Sequence, residues 1–249
     1  MTGQGFRIED KGEILLIVLS RPDKLNALDT QTLEGLASTL EEMSQPSNRP
    51  KPILLAAEGR VFSAGIDLAE VASAGTPEEA ARPFKALGRA LRALLSYPAP
   101  TLSYIHAPAI AGGAELALAT DLILVSPSAR LEWPEVRWNI VAPLLTALAQ
   151  RLGLSRLAMA ALAGERISAE EALRLGIAAG EADSLDSALS TARKIAGLYR
   201  DNTGAFARMI PLLRVWKIEA VEEVLPSLVD LASRMELVER AKRFLEGRP

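Results

Sequence analysis

The segment from 109 to 121, Ala-Ile-Ala-Gly-Gly-Ala-Glu-Leu-Ala-Leu-Ala-Thr-Asp, places two glycines and one carboxylate within a run of small apolar residues. Glycines at the start of a helix leave backbone N–H groups open to whatever approaches, and the helix dipole adds partial positive charge at the same end. Such a place suits an oxyanion, and Gly112 lacks the side chain that would block close approach. Glu115 falls in the first turn of that helix among Ala and Leu, where a carboxylate either sits in a polar site or is expensively desolvated. A second glycine-containing turn is Val61-Phe62-Ser63-Ala64-Gly65-Ile66-Asp67-Leu68, just after Gly59-Arg60. A third piece is Leu131-Glu132-Trp133-Pro134-Glu135, which places Glu135 twenty residues beyond Glu115. Residue chemistry alone therefore offers two candidate carboxylates for acid–base work and two candidate N–H donors. A structural reading stands beside each: Glu115 as a carboxylate favoured at a helix N-terminus, Glu135 as a surface residue.

Other chemistries are poorly provided for. There is no Gly-x-Ser-x-Gly elbow, no Gly-x-x-x-x-Gly-Lys-Ser/Thr phosphate loop and no Gly-x-Gly-x-x-Gly dinucleotide turn. With His106 as the only histidine, a multi-histidine metal site cannot be built, and a Ser-His-Asp triad would rest on a residue that reads as partly buried at a strand end. The chain has no cysteine, so a disulfide framework, a thiolate nucleophile, a zinc–thiolate site and an iron–sulfur cluster are excluded. A net charge of −3 gives no general electrostatic reason to bind nucleic acid or an anionic membrane surface. The 249 residues, 49% hydrophobic and 24% charged, resemble an ordinary soluble protein with ample material for a core. Met1–Lys11 shows no basic stretch followed by an apolar one, and the uncharged run Ser96–Ala114 carries three prolines and two glycines. A soluble cytoplasmic protein is expected.

The elements that must position these residues alternate short apolar runs with amphipathic stretches, which argues for an α/β chain. Ile14–Leu19, Ile53–Ala57, Thr101–Ile105 and Leu122–Val125 read as buried strands, with the small-residue helix carrying Glu115 between the last two. Asp29 can cap a helix whose apolar face is Leu33, Leu36, Leu40 and Met43. Thr76-Pro77-Glu78-Glu79 starts another, with Phe84, Leu87, Leu91, Leu94 and Leu95 before Tyr97-Pro98 ends it. Ser168-Ala169-Glu170-Glu171 repeats the capping-box logic, and Gly176 ends that helix. From about Leu185 the pattern is helical almost to the end, with breaks expected near Asn202-Thr203-Gly204, at Pro211 and at Pro226.

Taken in order, these segments resemble the enoyl-CoA hydratase/isomerase (crotonase) family. Arg21-Pro22-Asp23-Lys24-Leu25-Asn26-Ala27-Leu28 is similar to its early Arg-Pro…Leu-Asn-Ala-Leu motif, and Phe62–Leu68 to its Phe-Ser-Ala-Gly-x-Asp-Leu turn. Ala111–Asp121 is similar to its Gly-Gly-Gly-x-Glu-Leu-Ala-Leu-Ala-x-Asp helix, and Pro134-Glu135 to its later Pro-Glu pair. Ile167–Ala172 with Leu175-Gly176 matches a further family stretch, so the likeness runs from about residue 6 to residue 195. It implies a crotonase-like spiral of ββα units over residues 1–195 and a C-terminal helical region, 196–249, that helps assemble homotrimers or dimers of trimers.

The resemblance also implies roles. The N–H groups of Ile66 and Gly112 would form an oxyanion hole for a thioester carbonyl, where one donor is typically worth about 3–4 kcal/mol of transition-state stabilisation. Lys24, Leu25 and Ala27, with Ala64, Gly65, Asp67 and Leu68, would line the coenzyme A path, and Ala111 and Pro134 would border the same substrate. Glu115 would activate the water that adds at Cβ, and Glu135 would deliver the proton to Cα. Retention of both carboxylates favours hydration over double-bond isomerisation by Glu135 alone. A reading from another class is a non-catalytic acyl-CoA-binding or assembly subunit. No metal or redox cofactor is implied; coenzyme A enters as part of the substrate.

Three departures from the family pattern stand out. Ala111 replaces the first glycine of the usual triplet, and Leu131-Glu132 replaces a Phe-Gly pair. The glycine-rich stretch after Pro-Glu gives way to Val136-Arg137-Trp138-Asn139-Ile140-Val141-Ala142-Pro143-Leu144-Leu145. Trp133 and Trp138 are bulky there, and either shape the acyl pocket or pack a trimer. The Ala-Pro-Leu-Leu version of this segment, with the leucine-rich helix from Phe84 to Leu95, is similar to hydratases of cyclic dienoyl-CoA. Arg208, Arg214 and Lys217 are candidate partners for the coenzyme A phosphates.

Overall fold

The computed structural model describes residues 2–3, 5–153 and 155–247. Its larger sheet has seven strands in the order β1 (Thr2–Gly3), β2 (Phe6–Asp10), β3 (Leu15–Leu19), β4 (Ile53–Ala57), β5 (Thr101–Ile105), β7 (Leu122–Val125) and β10 (Gly180–Glu181). The first three pair antiparallel and the rest parallel. Apolar runs without polar alternation suit strands covered on both faces, and β5 is buried at every position. A smaller sheet holds β6 (Ala109–Ile110), β8 (Arg130–Glu132) and β9 (Arg166–Ser168).

Ten helices surround these strands among the described residues: α1 (Thr30–Met43), α2 (Leu68–Ser73), α3 (Pro77–Ser96), α4 (Gly112–Ala119), α5 (Pro143–Leu152), α6 (Ser155–Ala163), α7 (Ala169–Arg174), α8 (Leu185–Asp201), α9 (Thr203–Ala232) and α10 (Met235–Leu245). Start signals act where the residues place them. The Asp29 carboxylate accepts from Thr32 N at 2.8 Å, the Thr76 hydroxyl from Glu79 N at 3.2 Å, and Ser168 with Glu171 forms a reciprocal box at the start of α7. Leu33, Leu36 and Leu40 of α1 are fully buried, each burial contributing about 1.5–3 kcal/mol.

The spiral is visible in the pairing. Successive turns place β4, β5 and β7 side by side in the large sheet. The same turns then place Ser63 beside Ala109, and Ala109 beside Leu131, in a second parallel row. Ile66, Gly112 and Glu135 each follow this row by three or four residues, so three turns of chain deliver them to one edge of the fold. This is the spiral of ββα units that the motifs imply.

The break at Asn202 is present, but those expected at Pro211 and Pro226 are not: α9 runs unbroken through both prolines. An interior proline costs roughly 3 kcal/mol and one hydrogen bond. Here burial of Ile210, Val221, Leu225 and Leu228 along one face outweighs that local penalty. Leu225 reaches α3 at Gly88, where an added Cβ would collide with Leu225 Cδ2. The division at residue 195 falls inside α8, whose Ala188, Leu189, Ala192 and Ala196 cover Leu16, Val18, Leu54 and Leu102 on one face of the large sheet.

Candidate active site

The carboxylates and both loops meet in one cavity of about 1080 Å³. Lys24, Leu25, Ala27, Ala64, Ile66, Asp67, Leu68, Ala111, Gly112, Glu115, Pro134 and Glu135 all line it. Gly65, the remaining residue expected on the substrate path, does not. It lies behind the wall with φ 83°, and an added Cβ would stand 2.8 Å from Ala111 Cβ, 2.9 Å from Ile110 O and 3.2 Å from Gly112 N. Its chemistry is that of a residue without a side chain: it lets the two N–H-bearing loops touch.

The early motif acts as a clamp on the first loop. Pro22–Lys24 forms a 3-10 turn, after which Leu25 and Asn26 both take left-handed backbone angles. Asn26 is buried, accepts from Arg21 N at 2.8 Å and donates to Glu58 O at 2.7 Å and Val61 O at 3.1 Å. Arg21 donates to Ala27 O at 2.6 Å and pairs with Asp29 at 3.0 Å and Asp67 at 3.2 Å. The Ser63 hydroxyl donates to Asn26 O at 2.8 Å. Leu28 N donates to Gly65 O at 2.8 Å, and Asp67 N donates to Leu28 O at 3.0 Å. Because extended backbone alternates its bonding direction, the N–H of Ile66, between these two, points away from that ladder.

Gly112 is the first residue of α4, so its N–H is one of the helix's unpaired first-turn donors. Among the described residues, neither Ile66 N–H nor Gly112 N–H donates to a protein acceptor. Ala111, just before, holds φ 51° and ψ −125°, a conformation natural to glycine. It is held there by Ala111 N donating to Glu132 O at 2.8 Å and by Glu115 N donating to Ala111 O at 3.0 Å. The exchange of glycine for alanine thus leaves the donor at 112 in place while adding backbone strain.

The two carboxylates have unlike surroundings. Glu115 is 1% exposed; its Oε1 accepts from Trp133 Nε1 at 3.0 Å and Leu145 N at 3.1 Å, and its Oε2 accepts from Leu144 N at 2.6 Å. Burial pushes its pKa up to about 7 against the opposing pull of those three donors. Glu135 is 6% exposed, and its Oε2 has no hydrogen-bond partner in the protein among the described residues. Burial, and then the nearby charge of Glu115, push its pKa up to about 8. A carboxyl pushed toward its protonated form thus shares a cavity with one braced as an acceptor, an arrangement able to move one proton onto and another off a bound molecule.

Several expectations about surrounding residues are corrected. Trp133 neither lines the cavity nor reaches the surface: it is fully buried behind Glu115. Trp138 does line the cavity and meets Phe244 of α10 edge-on, ring centroids 5.3 Å apart. Arg214 is 1% exposed and is an internal staple, donating to Asp121 Oδ1 at 2.6 Å and to Ala99 O at 3.0 Å. Lys217 donates to Thr120 O at 2.6 Å, and Arg208 is exposed on α9. None of the three lines the cavity, because the face of α9 that carries Arg214 and Lys217 turns toward Thr120-Asp121 instead. The cavity's basic residues are Lys24, Arg137, Arg240 and Arg243. Arg240 donates to Arg137 O at 3.0 Å, joining α10 to the Glu135 segment. Residue patterning did not reveal that α10 walls the cavity; its apolar face, Leu237, Val238 and Ala241, signals burial without saying against what. His106, at a strand end, takes no part in the cavity and meets Gly59 O through Nε2 at 2.8 Å. Among the described residues, no group of three or more His, Asp or Glu side chains is placed to hold a metal ion.

A spiral that presents two backbone donors and two buried carboxyls to one cavity is an arrangement of the crotonase fold. Residues 9–210 match the family model described as enoyl-CoA hydratase/isomerase, and the chain belongs to that family. It is 33% identical over 195 to 199 residues to relatives that include the carnitinyl-CoA dehydratase of Proteus mirabilis, an alignment covering 78% of this chain and 75% of that protein. It is 29% identical to the short-chain-enoyl-CoA hydratase of Clostridium acetobutylicum, covering 78% and 75%. The fold matches an enoyl-CoA hydratase/isomerase structure from Mycobacterium paratuberculosis with a TM-score of 0.85 at 22% identity, over 96% of this chain and 98% of that one.

Proposed function

We propose that the protein hydrates the α,β double bond of an acyl-CoA thioester to give a 3-hydroxyacyl-CoA. The observation that carries this reading is the unequal treatment of two carboxylates beside two free N–H groups. The thioester carbonyl accepts from Ile66 N–H and Gly112 N–H, which stabilise the enolate oxygen as negative charge develops. Glu115, ionised, takes a proton from water as its oxygen bonds to Cβ. Glu135, protonated, gives its proton to Cα as the enolate collapses. The pair then exchanges one proton to reset, so water is consumed and no redox partner is required. Lys24, Leu25, Ala27, Ala64, Asp67 and Leu68 line the coenzyme A path, and Trp138 and Phe244 line the same cavity.

The test is loss of conjugated-thioester absorbance across a panel from crotonyl-CoA to a cyclic dienoyl-CoA, with chromatography of the products. Turnover of one member supports the reading; bound thioesters with no hydration on any member would remove it. A second reading, isomerisation by Glu135 alone, draws on its unpartnered Oε2. Conversion of a 3-enoyl-CoA by a Glu115→Gln variant would favour that reading. The exposed Met209, Leu212 and Leu213 of α9 and Leu162 of α6 support self-association, for which the trimer or dimer of trimers is the form that sedimentation would test. Among the described residues, no helix is long and apolar enough to cross a membrane.

A further inference from the structure

Two of the departures from the family pattern converge on a single side chain. Trp133, immediately before Pro134-Glu135, sends its indole N–H to Glu115 Oε1 at 3.0 Å. The Ala142-Pro143-Leu144-Leu145 segment, in place of the glycine-rich stretch, starts α5 with a proline at the first helical position and no side-chain cap of its own. Its orphan amides, Leu144 N and Leu145 N, find their acceptor in Glu115 at 2.6 and 3.1 Å. The carboxylate of α4 therefore does the work of an N-cap for α5, and the dipole of the ten-residue α5 favours its negative charge.

We propose that Trp133 is the positioning residue for Glu115: together with the first turn of α5 it fixes the carboxylate in one orientation and in its ionised form, which leaves the pair's proton on Glu135. The proposal rests on the hydratase reading for its kinetic consequence, not for the contact itself. Indole N–H can only donate, and a carboxylic acid keeps its accepting capacity on one oxygen while the other carries the proton. Three donors spread over both oxygens leave the protonated form of Glu115 at least one donor facing a hydroxyl. Glu135 Oε2 faces no such donor, so it is the place where a proton is least opposed. The other charged groups on the cavity wall are Lys24, Asp67, Arg137, Glu236, Arg240 and Arg243. None is hydrogen-bonded or ion-paired to either carboxyl among the described residues, so the asymmetry comes from Trp133 and α5.

The experiment begins without substrate. The chain has three tryptophans, so a protein labelled with nitrogen-15 at its indoles gives three N–H resonances. That of Trp133 is the one surviving in both Trp138→Phe and Trp216→Phe. Its shift should titrate between pH 5 and 9, remain flat in Glu115→Gln, and titrate at about the same pH in Glu135→Gln, because Glu135 still holds its proton while Glu115 loses its own. In Trp133→Phe, loss of one donor should move the acid limb of kcat/KM to higher pH by about half to one unit, with kcat falling about tenfold. A purely structural tryptophan would lower the amount of folded enzyme and leave that limb where it was. An indole that does not titrate, or a titration that persists in Glu115→Gln, overturns the proposal whatever the enzyme turns over. A titrating indole in a protein that hydrates no thioester upholds the positioning and refutes the hydratase reading instead.

Discussion

Glu115 and Glu135 reach the same cavity from successive turns of one spiral, yet the chain treats them in opposite ways. The Glu115 side is built of donors: an indole from the β8 turn and two amides from the open end of α5. The Glu135 side offers burial, one nearby negative charge and a single backbone donor, with Oε2 left bare. Two identical functional groups can serve as acid and base only if their environments separate them. Here the separation is achieved by three hydrogen-bond donors from other parts of the chain on one side and, on the other, by a single backbone donor that leaves Oε2 without a partner.

The largest test of that contrast is catalytic. Glu135→Gln removes the proton donor and Glu115→Gln removes the acceptor, so each should lower kcat/KM for hydration by about 10²–10⁴. Steady-state rates on the preferred thioester measure this, and full activity in both variants would break the comparison.

Stability should separate the two where activity does not. A glutamine at 115 turns its amide N–H₂ toward one or more of three donors, leaving buried groups unpaired. Glu115→Gln should therefore destabilise by about 1–3 kcal/mol near pH 5, seen in urea titrations, with the deficit shrinking as pH rises because the variant no longer has to keep a buried carboxyl protonated. A glutamine at 135 breaks no bond to Oε2 and removes a buried ionisable group. Glu135→Gln should match the parent near pH 5 and exceed it at pH 8.5 by on the order of 1–2 kcal/mol.

The parent's own pH dependence follows with its sign. Both carboxyls have folded-state pKa values, about 7 and about 8, above their ordinary 4.5. Over that interval the folded state binds more protons than the unfolded state, so these groups make stability fall as pH rises from about 5 to about 8. Urea midpoints across the interval check this, and a flat profile in the double Gln variant would assign the slope to the pair.

The smallest effect concerns the turn that leads into Glu115. Ala111 at φ 51° carries strain of roughly 1–3 kcal/mol, partly offset because glycine loses more freedom on folding. Ala111→Gly should raise the melting temperature by a few degrees, read by calorimetry, with little change in KM.

How much was legible in the residues depends on the range of the interaction. The strands, the capped starts of α1, α3 and α7, and the order of the motif loops are local: apolar runs, Asp29, Thr76 and Ser168 act within a few residues of themselves. The candidate site residues could be named because glycine turns and a carboxylate in an apolar helix are also local anomalies. The failures are of longer range. Pro211 and Pro226 signal breaks locally, but packing of α9 on α3 decides otherwise. Arg214 looks like a surface cation in its own helix, and only the fold turns it inward onto Asp121 and the carbonyls at the end of α3.

The residues by themselves determined which groups could do chemistry: two carboxyls, two backbone donors, and no thiol or second imidazole. Tertiary structure decided what each carboxyl is. Hydrogen-bond donors and burial set the protonation of a side chain, and both depend on what distant chain places within about 3 Å. Glu115 lies 18 residues from Trp133 and 29 and 30 residues from Leu144 and Leu145, and nothing in that spacing says that all three would point at it.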